Sequence, residues 1–199
     1  MSEIIILEKP DEVSFDEIHN VLEQAHSVNE KNGFLMATSK LSGEQICQRV
    51  GEDGKCWIAM DGDRIVGTLS VRFVTRNNWY SKGKTPDYML AGVLPEYQGK
   101  HINSMLAERA FEYAKSEGYA VMELDTAENN AHAIKVYEHQ GFRLVDYVAK
   151  RDVDHYSVVM AKWLDKCPYS ERYCRMRYCL RRIAIRFRYK TGKKKRFGL

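Results

Sequence analysis

The chain has 199 residues, 44% of them hydrophobic and 29% charged, and a net charge of +4 at pH 7. These values suit one domain of ordinary size with a hydrophobic core. The longest apolar runs are only a few residues, such as Ile4–Leu7, and they exclude a transmembrane helix, which needs about 20 apolar residues. The N-terminus has no signal-peptide pattern and the five cysteines form no C-x-x-C pair, so we expect no zinc site, no disulfide framework and a cytoplasmic location.

The N-terminal part of the sequence predicts one strand followed by two helices. The strand covers residues 3–9. Two capping boxes, in which a serine is followed three residues later by Glu or Gln, each open an amphipathic helix. These boxes are Ser14 with Glu17 and Ser42 with Gln45.

Three further strands are predicted before the middle of the chain. Residues 56–60 and 64–74 are joined by Asp61-Gly62-Asp63, a hairpin turn signal. The polar, turn-rich segment Thr75–Pro86 predicts a loop. A third strand, residues 87–94, ends at Pro95 because proline cannot donate to a strand ladder.

The second half alternates helices and strands. A helix runs from the Gln98-Gly99-Lys100 turn to Gly118, and residues 119–126 form a strand. Asn130 begins a short helix that Gly141 ends, and residues 142–148 and 155–164 form two closing strands. This order predicts an α/β fold with a mixed, mostly antiparallel central sheet flanked by helices, and not a doubly wound parallel sheet.

The segment Ala91–Leu106 has the layout of an anion-binding site. A strand ends, a turn follows, and a helix begins at once, so the first backbone N–H groups of the helix lack intrahelical partners and carry partial positive charge. Many such junctions bind nothing, so this layout alone is weak support for a phosphate site.

A second motif follows about 25 residues downstream. It reads N-x-x-A-x-x-x-Y-x-x-x-G-F and comprises Asn130, Ala133, Tyr137, Gly141 and Phe142. In this order and spacing, the two motifs resemble the GCN5-related N-acetyltransferase (GNAT) superfamily. The resemblance extends from about residue 4 to residue 164, so we predict an acetyltransferase domain at 1–164 and a basic extension at 165–199.

The resemblance implies a division of roles around an acyl coenzyme A, most commonly acetyl-CoA, without a metal. Backbone groups of Val93 and Leu94 would pair with the pantetheine arm, and one N–H there would stabilise the oxyanion. Asn130 would bond the coenzyme arm, and Tyr137 would protonate the departing thiolate. The pyrophosphate would lie on the turn formed by Gln98, Gly99, Lys100, His101, Ile102, Asn103 and Ser104.

Each role has a structural alternative. Tyr137 also fits a half-buried core tyrosine, and Asn130 also fits a helix N-cap, a role compatible with coenzyme binding. Gly92 marks either a bulge or a close backbone approach. The turn departs from the family pattern at His101 and Asn103, where small residues are usual. Both keep a backbone N–H, but space and freedom of φ are lost, and the His101 side chain fits either a phosphate donor or an exposed group.

Three carboxylates are candidates for the base that takes a proton from the incoming amine: Asp87, Glu123 and Asp125. Glu123 and Asp125 share one strand face by period-two alternation. Glu123 is the favoured candidate, against the alternative that all three are solvated surface groups.

The C-terminal extension is strongly basic. Residues 164–199 hold 13 Lys and Arg against two acidic residues, a net charge of +11, so the rest of the chain carries −7. Apolar residues recur at helical spacing from Tyr169 to Phe187, which predicts a basic amphipathic helix at about 169–188 and a disordered tail after it. An anionic membrane, nucleic acid, the acidic body of the chain and a second copy in a homodimer all fit as its partner.

The leading functional hypothesis is therefore an acetyl-CoA-dependent N-acetyltransferase in which a primary amine attacks the thioester directly in a ternary complex. A non-catalytic sensor or adaptor with the same fold, localised by its tail, is the alternative that His101 and Asn103 favour, and O-acetylation of a hydroxyl is a third. The loop Thr75–Pro86, with Trp79 and Tyr80, and the segment Asn32–Leu41 are expected to flank the acceptor. The acidic body favours a cationic amine.

Overall fold

The computed structural model of the protein describes residues 3–31, 40–149 and 155–190. The chain divides into two compact units. The first comprises residues 1–76 and 83–119, and the second comprises residues 77–82 and 120–199. The predicted order of helices and strands is confirmed within the described ranges.

The elements are numbered in chain order. The strands are β1 (Ile4–Glu8), β2 (Lys55–Asp61), β3 (Arg64–Asn77), β4 (Lys82–Val93), β5 (Val121–Ala127), β6 (Arg143–Ala149) and β7 (Tyr156–Trp163). The helices are α1 (Phe15–Lys31), α2 (Gly43–Val50), α3 (Ile102–Ser116), α4 (Ala131–His139) and α5 (Glu171–Lys190). The predicted fold class, an α/β fold with a mixed and mostly antiparallel sheet flanked by helices, is confirmed.

Both predicted capping boxes form. The Ser14 hydroxyl accepts from the Glu17 N–H at 3.2 Å, while the Glu17 carboxylate accepts from the Ser14 N–H at 2.8 Å. Ser42 and Gln45 make the same reciprocal pair at 3.3 and 3.0 Å. Because such a cap is worth about 1 kcal/mol, local sequence fixes where α1 and α2 begin.

In the first unit, strands lie in the order β1-β2-β3-β4, and β2 pairs antiparallel with both β1 and β3. The side chains of α1 and α2 pack with this sheet in one buried cluster. Its fully buried members include Ile18, Leu22, Ile46 and Ile58. Burial of this apolar surface is what holds α1 and α2 on the strands.

The end of β4 has two unusual backbone positions. Leu90 has a φ of 54°, the left-handed region that a bulky residue rarely adopts, although its side chain is buried in the same cluster. At Gly92, an added Cβ would lie 3.0 Å from Ala25 Cβ and 3.2 Å from Leu22 Cδ2. Gly92 is therefore explained by the close approach of α1, one of its two sequence interpretations.

The prediction of a loop at Thr75–Pro86 is wrong. Strand β3 continues to Asn77 and β4 begins at Lys82, so the two strands are joined by only residues 78–81. The Asn78 side-chain oxygen accepts from the Tyr80 and Ser81 N–H groups at 3.2 and 2.7 Å. Because one asparagine side chain closes the turn, the polar residues around it form strands.

In the second unit, strands lie in the order β5-β7-β6, with β7 antiparallel to both neighbours. Helix α5 packs against β6. The helix predicted at about 169–188 is confirmed with slightly shifted bounds, whereas residues 191–199 lie outside the described part of the chain. The predicted domain boundary after residue 164 remains a prediction.

Candidate active site

The predicted phosphate turn leads into the one described α-helix whose N-cap side chain makes no hydrogen bond to its first turn. The N-cap of α3 is His101, and it makes no side-chain cap bond. The other four helices each receive a side-chain oxygen at this place, from Ser14, Ser42, Asn130 and Ser170. The first N–H groups of α3 thus keep the partial positive charge that attracts an anion.

At two positions in the turn, the backbone has a positive φ, the conformation that favours glycine. Gly99 has a φ of 78° and His101 has a φ of 61°. His101 is exposed, which agrees with the interpretation of its side chain as a solvent-facing group. Asn103 is half-buried, and its Oδ1 accepts from the Tyr88 hydroxyl at 3.4 Å. His101, the first departure from the family pattern, therefore places backbone strain in the turn. Asn103, the second departure, is hydrogen-bonded to β4.

Of the other turn residues, Gln98 and Ile102 hold the turn in place, and Lys100 lies at its exposed edge. The Gln98 side-chain amide donates to the Val93 carbonyl at 3.1 Å, which ties the turn to the end of β4. Lys100 is exposed, with its ammonium 4.4 Å from the Tyr97 ring centroid. Ile102 is 1% exposed, so only its backbone is suited to a ligand.

The end of β4 offers fewer backbone groups than the sequence predicted. The Leu94 N–H donates to the Val66 carbonyl at 2.9 Å, and the Leu94 carbonyl accepts from the Tyr97 N–H at 2.9 Å. The predicted pairing of Val93 and Leu94 with a pantetheine arm therefore depends on the Val93 N–H.

Replacing His101 by glycine is expected to raise the free energy of unfolding by about 1 kcal/mol, because glycine adopts a positive φ without the cost that histidine bears there. His101→Ala removes the same side chain but keeps a Cβ at φ 61°, so its stability should stay near that of the wild type. Thermal unfolding of both variants measures this backbone effect. Titration calorimetry with coenzyme A measures the effect of the side chain itself: tighter binding in both variants would show that the imidazole narrows the site, and weaker binding in both would show that it helps to hold the phosphate.

Asn130 and Tyr137 lie one at each end of α4. The Asn130 Oδ1 accepts from the Ala133 N–H at 3.1 Å, so the predicted N-cap role is present. The side chain is 7% exposed, and its amide N–H₂ is not used by the cap. Asn130 is thus positioned by its side-chain oxygen, and its two amide donors take no part in the cap.

The Tyr137 phenol is held in its protonated form. Burial, and secondarily the negative charge of Asp125, raise the pKa of Tyr137 to about 12. Both effects disfavour the phenolate. The ring lies 6.0 Å from the Phe142 ring in an edge-on arrangement. A tyrosine protonated across the neutral range is suited to donate a proton to a departing thiolate.

Among the three candidate bases, the interpretation as a solvated surface group is wrong for two. Glu123 is 2% exposed and its carboxylate accepts from the Tyr80 hydroxyl at 3.0 Å. Asp87 is 5% exposed and accepts from the Arg72 guanidinium at 2.8 Å. Only Asp125 is exposed. Asp87 is thus engaged by a cation, whereas Glu123 accepts from the Tyr80 hydroxyl. Glu123 therefore stays the predicted base.

The sequence predicted that Tyr80 flanks the acceptor but gave it no hydrogen-bond partner, and it gave Tyr88 no role at the site. Each hydroxyl donates a hydrogen bond to a predicted site residue, Tyr80 to Glu123 and Tyr88 to Asn103. The only signal was the aromatic content of the segment around them, because their partners are distant in sequence.

Trp79, predicted to flank the acceptor, is enclosed by the C-terminal extension. Its ring lies 5.1 Å from Tyr169 and 5.5 Å from Tyr173 in edge-on contacts, and the Arg177 guanidinium lies 5.4 Å from its centroid. Its indole N–H donates to the Val145 carbonyl at 3.4 Å. These contacts fix the position of Trp79, which directly precedes Tyr80, the residue that bonds Glu123. Residues 32–39 of the other predicted acceptor segment lie outside the described residues.

The described ranges contain no cluster of three or more side chains suited to a metal ion. Within the same ranges, the helices are too short or too polar to cross a bilayer. All five cysteines are free thiols.

Comparison with known proteins gives one family and one fold. The model of the Acetyltransferase (GNAT) family matches residues 15–142. None of the curated proteins matches the chain.

Among similar solved structures is the ribosomal-protein-S18-alanine N-acetyltransferase from Escherichia coli, at 16% identity and a TM-score of 0.62, covering 84% of this chain and 98% of that one. An aminoglycoside 6'-N-acetyltransferase complexed with coenzyme A has 14% identity and a TM-score of 0.60, with coverages of 83% and 99%. A GNAT family acetyltransferase from Elizabethkingia anophelis with acetyl-CoA bound has 14% identity and a TM-score of 0.58, with coverages of 80% and 97%. At these identities, the likeness concerns the fold.

Proposed function

The chain belongs to the GNAT family of acetyltransferases, and on that premise we propose that it transfers an acetyl group from acetyl-CoA to a primary amine by direct attack in a ternary complex. Two solved structures of the same fold contain coenzyme A or acetyl-CoA. The acceptors named for the similar structures, a ribosomal protein's alanine and an aminoglycoside, are both amine-bearing compounds.

The observation that carries this proposal is the N-terminus of α3. The helix that follows the predicted turn leaves its first N–H groups without a side-chain cap, whereas the other described helices are capped. Backbone donors at the positive end of a helix bind pyrophosphate oxygens well. Lys100 at the rim adds a cation, although His101 narrows the conformational freedom of the turn.

The proposed chemistry divides among groups with distinct roles. Bound acetyl-CoA supplies the acyl group and a thiolate leaving group. Glu123 takes a proton from the amine or its ammonium form, directly or through water. As the C–N bond forms and the C–S bond breaks, the Val93 N–H stabilises the carbonyl oxygen, and Tyr137 donates its phenolic proton to the sulfur. Glu123 then releases its proton to solvent, and solvent returns one to Tyr137.

The proposed location is a reducing cytoplasm. The free thiols and the requirement for acetyl-CoA are both compatible with it. The net charge of −7 on residues 1–163 favours a cationic amine as acceptor through long-range attraction.

Titration calorimetry with coenzyme A and acetyl-CoA tests this function first. We expect saturable binding with a Kd in the micromolar range, followed by thiol release from acetyl-CoA when primary amines are supplied as a panel. No binding at millimolar coenzyme would overturn the proposal. Binding without turnover on any amine would favour the sensor or adaptor interpretation.

A further inference from the structure

Helix α5 presents two apolar faces, and one of them packs on the described part of the chain while the other does not. Cys174, Tyr178 and Ile185 are at most 9% exposed and form the docked face. On the opposite side lies a second set of large apolar side chains, which we call the outward stripe. Its members are Met176, Leu180, Ile183 and Phe187, exposed by 50, 58, 67 and 65%.

The apolar pattern predicted from Tyr169 to Phe187 divides between two environments. Its start packs on the protein, since the Tyr169 and Tyr173 rings lie 5.1 and 5.5 Å from Trp79. Its later members form the outward stripe. At 3.6 residues per turn, the outward stripe and the docked face lie on nearly opposite sides of the helix, so Leu180 and Ile183 point away from β6. Within the described residues, the predicted docking of this pattern on the body of the chain is therefore realised at its start and not along the outward stripe.

Polar contacts fix the rotation of α5 on the second unit. Arg186 donates to the Glu128 carboxylate at 2.7 Å and to the Tyr147 hydroxyl at 3.1 Å. Arg181 donates to Asp146 at 3.0 Å. These contacts all lie on the docked side, so turning the outward stripe inward would break each of them.

Cations line both sides of the outward stripe. The helical period places Arg172 and Arg175 along one side and Arg177 and Arg188 along the other, and all four are exposed. The whole helix carries eight Arg and Lys against Glu171. The sequence that follows it adds Lys193, Lys194, Lys195 and Arg196.

We propose that the outward stripe of α5 binds the surface of an anionic lipid bilayer, with its apolar side chains inserted at the level of the acyl chains and its flanking arginines on the lipid phosphates. A stripe of large apolar residues between two rows of cations is the pattern of a helix that lies in the membrane interface. Each basic group near an anionic surface adds to the attraction, and long arginine side chains reach the headgroups from a helix embedded below them. This inference does not depend on the proposed acetyltransferase activity.

The chemistry of the surface favours lipid over two other occupants. Nucleic acid would use the arginines but leave the apolar side chains in water. A second copy of the helix, packed stripe to stripe, would bring the rows of cations close to one another, which is unfavourable. Only a surface that is both apolar and anionic matches every exposed group of the outward stripe.

The experiment is sedimentation of the full chain with vesicles of phosphatidylglycerol and phosphatidylcholine in equal amounts, compared with phosphatidylcholine alone. We expect binding to the anionic vesicles that weakens with salt, and little binding to the neutral ones. Ile183→Glu should reduce binding by about tenfold or more, because it removes an inserted side chain and adds a repelled charge. Ile5→Glu, the same change at an exposed position on β1, should leave it unaltered.

All variants keep residues 191–199, so electrostatic attraction of the tail is common to them. Circular dichroism and thermal unfolding establish that Ile183→Glu remains folded. Equal losses in Ile183→Glu and Ile5→Glu, or binding unaffected by either, would overturn the proposal. A wild-type chain that binds no vesicles but forms a concentration-dependent dimer, which Ile183→Glu abolishes, would also overturn it. So would a wild-type chain that binds no vesicles but binds a DNA duplex, with that binding unchanged in Ile183→Glu.

Discussion

Replacing Tyr137 by phenylalanine should lower the rate of acetyl transfer by about 10²- to 10⁴-fold, the usual range for a general acid, while the affinity for coenzyme A changes by less than about threefold. The substitution removes one hydroxyl and keeps the ring against Phe142. Since the pKa of Tyr137 is raised to about 12, the wild-type acid stays protonated at neutral pH. Loss of this proton should therefore not limit the rate below about pH 11. Steady-state kinetics across this pH range and calorimetry provide the two measurements.

The matched control is Tyr119→Phe, which removes a hydroxyl from a tyrosine whose ring stacks on Phe73 at 5.0 Å. It should change neither rate nor affinity. A Tyr137→Phe enzyme with nearly full activity would show that the tyrosine serves the core alone. A parallel drop in thermal stability, with the rate restored at lower temperature, would lead to the same conclusion.

Replacing Glu123 by glutamine should lower kcat/KM by about 10²-fold or more, because an amide cannot take a proton from the amine. The shape and burial of the side chain are kept, and its oxygen still accepts from the Tyr80 hydroxyl. The affinity for coenzyme A should stay within about threefold of the wild type, because the loss concerns proton transfer and not binding. Steady-state kinetics and calorimetry are the measurements.

Two further variants test whether the effect is specific to Glu123. Asp87→Asn alters the other buried carboxylate, which is paired with Arg72, and should affect stability more than the rate. Tyr80→Phe removes a hydrogen bond to Glu123 and should lower the rate less than Glu123→Gln does. If Asp87→Asn lowers kcat/KM by about 10²-fold and Glu123→Gln does not, the base is Asp87 and the assignment fails.

Much of the fold could be predicted because local signals determine its elements. The capping boxes at Ser14 and Ser42 fix two helix starts, and Asn130 and Gly141 fix the bounds of α4. These features depend on residues three or four apart, which a single sequence displays directly. The order of elements followed from them, and with it the fold class.

The parts that could not be predicted depend on partners distant in sequence. Polar residues around Asn78 read as a loop, although one side chain closes a tight turn between two long strands. The burial of Glu123 requires Tyr80, which is 43 residues away. The outward stripe was visible as a pattern, but which face of α5 docks was decided by Glu128 and Tyr147.

The positive φ of Leu90 also has a consequence for the timing of site assembly. The left-handed conformation costs on the order of 1–2 kcal/mol, and the anchoring of its side chain among Ile18 and Leu22 offsets that cost during folding. The local geometry of β4 just before Ala91–Leu94 is therefore set by packing of the core. Under the proposed function, this part of the site would be formed on folding, and the entropy of ordering on binding would be lost mainly by the coenzyme.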